Sequence, residues 1–202
     1  MAKAFLFDVD GVLTDSADIS KELVKRYFSK LGKKVGDEDI IPNLGMGMNA
    51  LFVNTAERVG VKIDLDEALS FFRENYALLL KEKKEIPGAS SFVLDARKKG
   101  VLTAVISSAP KWRVEENLSS ISLSLEDFDL VSTEKDAKRN KPYPDIYTKA
   151  MVELGVDKKD AVVFEDSVSG IKSGKESGAM VVALTTTLGR EKAKLSGADA
   201  VL

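Results

Sequence analysis

The sequence predicts an α/β fold, in which a parallel sheet is covered by helices on both faces and an all-helical segment is inserted after the first strand. From about residue 88 onward, short continuous apolar runs alternate with segments of helical periodicity. Such runs are typical of strands buried on both faces, and their alternation with helices indicates a parallel sheet. Before that point, three helical patterns follow one another with no strand between them. We therefore expect a core domain of residues 1–15 and 87–202, and a helical cap domain of residues 16–86.

The predicted elements follow in chain order. An apolar run at residues 3–8, closed by an acid and a glycine, indicates the first strand. The insertion has helical periodicity at residues 19–31, 48–59 and 65–80, and a glycine ends each of the first two helices. The core then alternates between helices at residues 88–99, 111–119, 144–154, 167–177 and 189–196 and strands at residues 101–106, 128–132, 160–164 and 179–184. Residues 200–202 fall where a closing strand and a helix are expected, which leaves open a shortened chain or one piece of a longer polypeptide.

Composition excludes several classes of protein and of site. The 202 residues include 30 basic and 32 acidic ones, a net charge of −2, so no surface for nucleic acid or anionic membranes is expected. Because cysteine and histidine are both absent, disulfides, thiolate zinc sites and Ser–His catalysis are excluded, and any metal must be a hard cation held by oxygen. The sequence has no apolar run of membrane-spanning length, no segment like a signal peptide and no heptad repeat. We expect a cytoplasmic monomer or weak dimer that binds neither nucleic acid nor membrane.

Four polar motifs lie at or near the ends of predicted strands. In an open parallel sheet, ligands bind beyond the carboxyl ends of the strands, so these motifs are expected to meet at one edge. Each motif alone also has a structural explanation, as a turn, a helix cap or a rigid proline segment. Their common position, with carboxylates that a core would not bury, favours a functional site. The motifs are Asp8-Val9-Asp10-Gly11, Ser107-Ser108, Lys141-Pro142-Tyr143-Pro144-Asp145 and Glu165-Asp166-Ser167.

The order of these motifs resembles that of the haloacid dehalogenase superfamily of phosphotransferases, and the resemblance covers essentially the whole chain. The segment FDVDGVLTDS is close to the first motif of the subgroup that carries a small helical cap after the first strand. That subgroup includes β-phosphoglucomutase, phosphoglycolate phosphatase and several sugar-phosphate phosphatases. The resemblance implies a Rossmann-like core and a phosphoric monoester hydrolase that works through an aspartyl-phosphate intermediate.

The resemblance assigns a role to each motif residue. Asp8 is expected to attack phosphorus, and Asp10 to act first as general acid and then as base. Asp10 is expected on the same side as Asp8, with Val9 between them buried. The phosphate-binding groups are expected to be Ser107, the backbone amide of Ser108, and Lys141. The ligands of Mg²⁺, the expected cofactor, are Asp8, Asp10 through its backbone carbonyl, Glu165 and Asp166.

The helical cap is expected to cover this site as a lid, with hinges near residues 14–16 and 84–87. Between its helices, residues 43–49 form a loop with two glycines. In the family the equivalent loop reaches the substrate, which here implies Gly45, Met46, Gly47 and Met48. An ordinary flexible connection, with the methionines packed inside the cap, is an equal alternative.

Three functions are considered. The leading one is a Mg²⁺-dependent phosphatase that hydrolyses a small phosphorylated metabolite, such as a sugar phosphate. The second is a phosphosugar mutase of the β-phosphoglucomutase kind, where a cap histidine and a cap arginine help to select the substrate. The corresponding positions here are Ser20 and Met48, and the loop has no basic residue for a second phosphate, so hydrolysis is favoured. The third is a non-catalytic module of a longer protein, against which the retained motif residues argue.

Overall fold

The computed structural model describes residues 2–80 and 85–202, and its centre is one six-stranded parallel sheet. The strands are β1 (Ala4–Phe7), β2 (Leu102–Ile106), β3 (Leu130–Ser132), β4 (Ala161–Glu165), β5 (Met180–Ala183) and β6 (Ala200–Val201). Their order across the sheet is β3-β2-β1-β4-β5-β6, and every pair is parallel. The first strand is therefore central, and the chain order reverses direction beside it, which is where ligands bind in open sheets of this kind.

The register of the central strands decides which residues meet at the carboxyl edge. Phe7 of β1 pairs with Val105 of β2 and with Phe164 of β4. Asp8 and Glu165, the residues that follow Phe7 and Phe164, are therefore neighbours at this edge. The short apolar strands thus bring together two acids that are far apart in the sequence.

Helices cover the sheet on both faces, as the continuous apolar strands require. One face packs against α5 (Ala89–Lys98) and α6 (Lys111–Ser120), with Val93, Val114 and Leu118 in the shared apolar cluster. The other face packs against α7 (Asp145–Glu153), α8 (Val168–Ser177) and α9 (Arg190–Leu195). Two 3₁₀ turns, Leu125–Asp127 and Lys158–Asp160, precede β3 and β4.

A helical insertion, defined as α1 to α4, lies between β1 and α5 in the chain. Its elements are α1 (Ala17–Lys30), α2 (Asp37–Ile40), a 3₁₀ turn (Ile41–Asn43), α3 (Met48–Val59) and α4 (Leu65–Leu80). These helices enclose an apolar cluster of their own. Edge-to-face contacts join the rings of Tyr27 and Phe52 at 5.5 Å and those of Phe52 and Phe72 at 6.1 Å between centroids. The insertion therefore has its own core, separate from the sheet.

The predicted α/β fold is confirmed, and every predicted helix and strand is present with small shifts at its ends. The closing strand expected near residue 200 is β6. The prediction of three helices in the insertion was incomplete, because α2 and the 3₁₀ turn at Ile41–Asn43 lie between the first two. Seven residues with a proline among them are too few for a helical period to show.

The proposed domain bounds, 1–15 with 87–202 and 16–86, stay a prediction. Of the expected hinge at residues 84–87, residue 84 lies outside the described residues. Within residues 2–80 and 85–202, no helix has both the length and the apolar character needed to cross a membrane.

Candidate active site

A buried lysine joins two carboxylates where β1 and β4 end. Lys141 Nζ donates hydrogen bonds to Asp8 Oδ1 at 2.7 Å and to Glu165 Oε1 at 2.6 Å. The hydroxyl of Tyr147, on α7, donates to the same Glu165 oxygen at 2.7 Å. The side chains of Lys141 and Glu165 are 1% and 0% exposed, so the charges are held by one another and not by water. Lys141 is thus fixed against the carboxylate of Asp8.

Asp166 is held against the first motif by a close backbone approach. Gly11 has φ +80°, and a Cβ atom at that position would overlap the Asp166 carboxylate, so glycine is required here. Thr187 Oγ1 donates to Asp166 Oδ2, and Thr186 Oγ1 donates to the Gly11 carbonyl at 2.5 Å. One oxygen from each of the carboxylates of Asp8, Glu165 and Asp166 lies within 4.8 Å of the others.

The site buries more negative than positive charge. Burial, opposed by the charge of Lys141 and reinforced by those of Glu165 and Asp10, raises the pKa of Asp8 from its ordinary 3.8 to about 7. Burial, followed by the charges of Glu165 and Asp8, raises the pKa of Asp166 well above its ordinary range. Although burial lowers it, the attraction of Asp8 and Glu165 raises the pKa of Lys141 overall. An oxygen-only cluster with this excess of charge fits a hard divalent cation.

A cavity of about 50 Å³ adjoins Asp8. A single water needs roughly 10–15 Å³ by the same measure, so the space suits a group about as large as a phosphate. Asp10, Ser107, Ser108 and Asp166 line the cavity from the core. The buried hydroxyl of Ser108 has no hydrogen-bond partner among the residues that the structure describes, which leaves it available to a ligand. The predicted burial of Val9 is also observed.

The helical insertion lines the other side of this cavity. Its lining residues are Ala17, Ser20, Asn43, Leu44, Gly45, Gly47, Met48 and Leu51. Ser169 Oγ, in α8, donates to the Leu44 carbonyl at 2.9 Å. Met48 also belongs to the apolar core of the insertion. A contact between this loop and the substrate stays a prediction. Met46 differs from its neighbours, because it lines an adjacent surface groove with Arg139 and Tyr143 and not this cavity.

Sequence reasoning missed several residues of the site, and two of them lie on α6. Arg113 Nη2 donates to Asp10 Oδ1 at 2.7 Å, and Asn117 Nδ2 donates to the same oxygen at 3.2 Å. Both side chains are buried, and Arg113 lines the cavity. The available signal was a pair of polar residues four apart, on the helix that follows Ser107-Ser108. That spacing places both on one face of a helix, but it does not reveal what they contact.

A family model described as haloacid dehalogenase-like hydrolase matches residues 5–184. The chain belongs to this family. The family resemblance drawn from the four motifs is thereby confirmed.

Individual relatives of this haloacid dehalogenase-like chain agree with the match. Validoxylamine A 7'-phosphate phosphatase of Streptomyces hygroscopicus subsp. limoneus is 30% identical over 205 residues, which cover 100% of this chain and 93% of that protein. Protein SUPPRESSOR OF QUENCHING 1, chloroplastic, of Arabidopsis thaliana is 33% identical over 96% of this chain, but the chain spans only 19% of that longer protein. A solved hydrolase from Pseudomonas syringae has the same fold, with a TM-score of 0.88, 22% identity and coverage of 98% of this chain and 92% of its own. The family is one of hydrolases, and the relative from Streptomyces hygroscopicus is named as a phosphatase.

Proposed function

We propose that the protein is a Mg²⁺-dependent phosphatase that hydrolyses small phosphorylated metabolites through a phosphoryl group carried covalently by Asp8. One observation carries the proposal. The carboxylate of Asp8, held by Lys141, adjoins a cavity of about 50 Å³ that Asp10 and Ser107 also line. Nucleophile, proton donor and phosphate-binding groups are the three requirements of phosphoryl transfer from a monoester.

The reaction divides into two displacements. In the first, an Asp8 oxygen forms a bond to phosphorus, the bond from phosphorus to the leaving oxygen breaks, and Asp10 gives that oxygen its proton. In the second, water attacks phosphorus and loses its proton to Asp10, while the bond from phosphorus to Asp8 breaks. Inorganic phosphate leaves, and both carboxyl groups return to their starting states. Lys141 and the Ser107 hydroxyl offset negative charge on the phosphoryl group throughout.

Asp8 and Asp166, together with the backbone carbonyl of Asp10, would hold Mg²⁺ beside the phosphoryl group. Glu165 completes the proposed ligand set, although its two oxygens already accept hydrogen bonds from Lys141, from Tyr147 and from the Asp166 N–H. When bound, the cation supplies the positive charge that an anionic nucleophile needs to approach a phosphate dianion. The close approach of the carboxylate oxygens of Asp8, Glu165 and Asp166, all within 4.8 Å of one another, supports this assignment.

Hydrolysis is proposed over mutase activity because of what lines the cavity. Of the described residues that line it, Arg113 is the basic one, and its guanidinium is already paired with Asp10. The residues of the helical insertion that line the cavity carry no charge. They include Ser20 and Met48, which correspond by resemblance to the cap histidine and cap arginine that help to select the substrate in β-phosphoglucomutase. A second phosphate on a bisphosphate intermediate would therefore lack a counter-charge. We propose a small phosphate ester as the substrate of a cytoplasmic monomer or weak dimer.

The test is a screen of phosphorylated metabolites and p-nitrophenyl phosphate with Mg²⁺, in which inorganic phosphate and isomerised phosphates are both measured. We expect phosphate release, and we expect Asp8→Asn to reduce it by at least about a thousandfold while the protein stays folded. The control is Asp95→Asn on α5, an exposed acid remote from the cavity. An isomer formed without phosphate release would establish the mutase, and a folded protein inactive on every compound would favour a non-catalytic module.

A further inference from the structure

One oxygen of Asp10 is saturated with hydrogen bonds while the other is left for chemistry. Asp10 Oδ1 accepts from Ser16 Oγ, from Arg113 Nη2 at 2.7 Å and from Asn117 Nδ2 at 3.2 Å. Oδ2 accepts none from the residues that the structure describes, and Asp10 lines the cavity. Three donors on one oxygen fix the plane of the carboxyl group. Oδ2 is therefore the oxygen that remains free to donate or accept the proton.

Both α6 donors are in turn held by the helical insertion. Arg113 Nη2 also donates to Ser20 Oγ of α1 at 2.8 Å, and its guanidinium lies over the rings of Phe72 at 5.2 Å and Tyr76 at 4.8 Å. The Tyr76 hydroxyl donates to Asn117 Oδ1 at 2.7 Å. Because that bond occupies the amide oxygen, the Asn117 amide nitrogen faces Asp10. The chain of contacts thus runs from α1 and α4, through α6, to the carboxyl group of Asp10.

The burial of these contacts makes them depend on a closed insertion. Arg113 is 6% exposed, and Asn117 and Tyr76 are 0% exposed. Moving α4 away from α6 would expose the guanidinium and break the bond between Tyr76 and Asn117. The two donors on α6 would then be free to take other conformations, since the groups that restrain them belong to the insertion.

We propose that Arg113 and Asn117 are positioning residues that couple closure of the helical insertion to the orientation of Asp10, so that proton transfer to the leaving group requires the closed state. The inference rests on the proposed phosphatase function. It predicts a dependence on the leaving group. An alkoxide needs the proton of Asp10 as it departs, whereas p-nitrophenolate is stable as an anion and leaves without it.

The experiment measures release of the leaving group in the first turnover, with enzyme in excess over substrate. Two substrates are compared, p-nitrophenyl phosphate and the alkyl phosphate that the wild type hydrolyses fastest in the screen above. The first turnover isolates the step in which Asp10 acts as acid from the later step in which it acts as base. The variants are Arg113→Gln, Arg113→Lys and Tyr76→Phe.

Arg73→Gln is the matched control. The Arg73 guanidinium, on α4, lies over the ring of Trp112 on α6 at 5.6 Å. It therefore forms the same kind of contact between the insertion and α6 as Arg113, but it has no bond to Asp10. Any loss that comes only from weaker packing of the insertion should occur in this control as well.

We expect Arg113→Gln to slow release of the leaving group from the alkyl phosphate by about tenfold to a hundredfold. Release of p-nitrophenolate from p-nitrophenyl phosphate should slow by about twofold at most. Arg113→Lys should recover part of the loss, because an ammonium reaches Asp10 but cannot also span to Ser20. Tyr76→Phe should show the same selective pattern at a smaller size, and it tests the coupling even if Arg113→Gln does not fold. Arg73→Gln should change the first-turnover rates of both substrates by the same factor.

An equal loss on both substrates in Arg113→Gln and Tyr76→Phe, or no loss in either, would overturn the coupling. That result differs from a failure of the proposed function, in which the wild type itself releases phosphate from neither substrate.

Discussion

The ammonium group of Lys141 is buried, and the carboxylates of Asp8 and Glu165 replace water as its hydrogen-bond partners. Removing one member of a buried ion pair leaves the other charges uncompensated, which typically costs about 3–5 kcal/mol. We therefore expect Lys141→Met to lower the free energy of unfolding by about 3 kcal/mol in urea titrations at pH 8 with EDTA. Adding Glu165→Gln to Lys141→Met should recover part of this loss, because only the charge of Asp8 then lacks the lysine that paired with it.

Arg139→Met is the matched control for this prediction. Arg139 pairs with Asp145 at 2.8 Å, but its side chain is 57% exposed. Exposed ion pairs contribute about 1 kcal/mol or less, so this variant should have nearly wild-type stability. Equal losses in Lys141→Met and Arg139→Met would contradict the claim that burial makes the Lys141 contacts decisive.

Residues of the site differ in how far a sequence reveals them. Asp8 and Asp166 could be predicted because each follows a short apolar strand, and parallel strands end at one edge. Arg113 could not, since it is 103 residues from Asp10 and reaches it through the packing of α6. The local sequence around an arginine on an amphipathic helix does not tell whether its side chain is exposed or is buried against a carboxylate. The metal ligands and catalytic roles themselves stay predictions.

At the scale of elements, the loop before α3 is where the insertion meets the core. Gly45 has φ +77°, and a Cβ atom there would lie 2.6 Å from Ser167 Oγ and 2.8 Å from Ser169 Oγ. We expect Gly45→Ala to lower kcat/KM by about tenfold, because the loop must withdraw from α8 and the cavity opens to water. Steady-state phosphate release, with melting temperatures measured in parallel, checks this.

Gly60→Ala controls for backbone strain. Gly60 ends α3 with φ +69°, close to the φ of Gly45, but a Cβ atom there would meet nothing within 4 Å. Both substitutions cost roughly 1–2 kcal/mol of left-handed strain, so both should lower the melting temperature. Only Gly45→Ala should lower activity. A similar activity loss in the two variants would show that strain, and not contact with α8, is the cause.

Long elements were predictable where short ones were not. The periodic pattern predicted for residues 65–80 agrees with α4 throughout its described residues, Leu65–Leu80, because four turns bury one consistent apolar face. In contrast, α2 has four residues and is held by its surroundings, with Asp39 accepting from the Gly36 N–H at 3.0 Å and Arg58 donating to Asp39 at 3.0 Å. Such an element depends on contacts from a distant helix, which no local period encodes.

At the scale of the whole molecule, stability and the proposed metal binding depend on the same buried acids. The pKa of Asp8 is about 7 in the folded protein, against 3.8 ordinarily, and the pKa of Asp166 is raised in the same direction. Between pH 4 and pH 7 the folded state therefore holds protons that the unfolded state has lost. The stability that these groups contribute is fully present below their unfolded pKa and is lost as the pH rises through the folded pKa. The sequence has no histidine to titrate in this range.

This linkage predicts how the melting temperature depends on pH and Mg²⁺. In EDTA it should fall by at least about 2 °C from pH 5.5 to pH 8, since 1 kcal/mol corresponds to roughly 2–4 °C at this chain length. Mg²⁺ should raise it more at pH 8 than at pH 5.5, because the cation competes with protons for the same oxygens. Asp8→Asn should flatten the slope in EDTA and weaken the Mg²⁺ effect, because it removes one of the two titrating acids. A melting temperature in EDTA that rises toward pH 8, or a Mg²⁺ effect of equal size at both pH values, would mean that these carboxylates do not form the cation site.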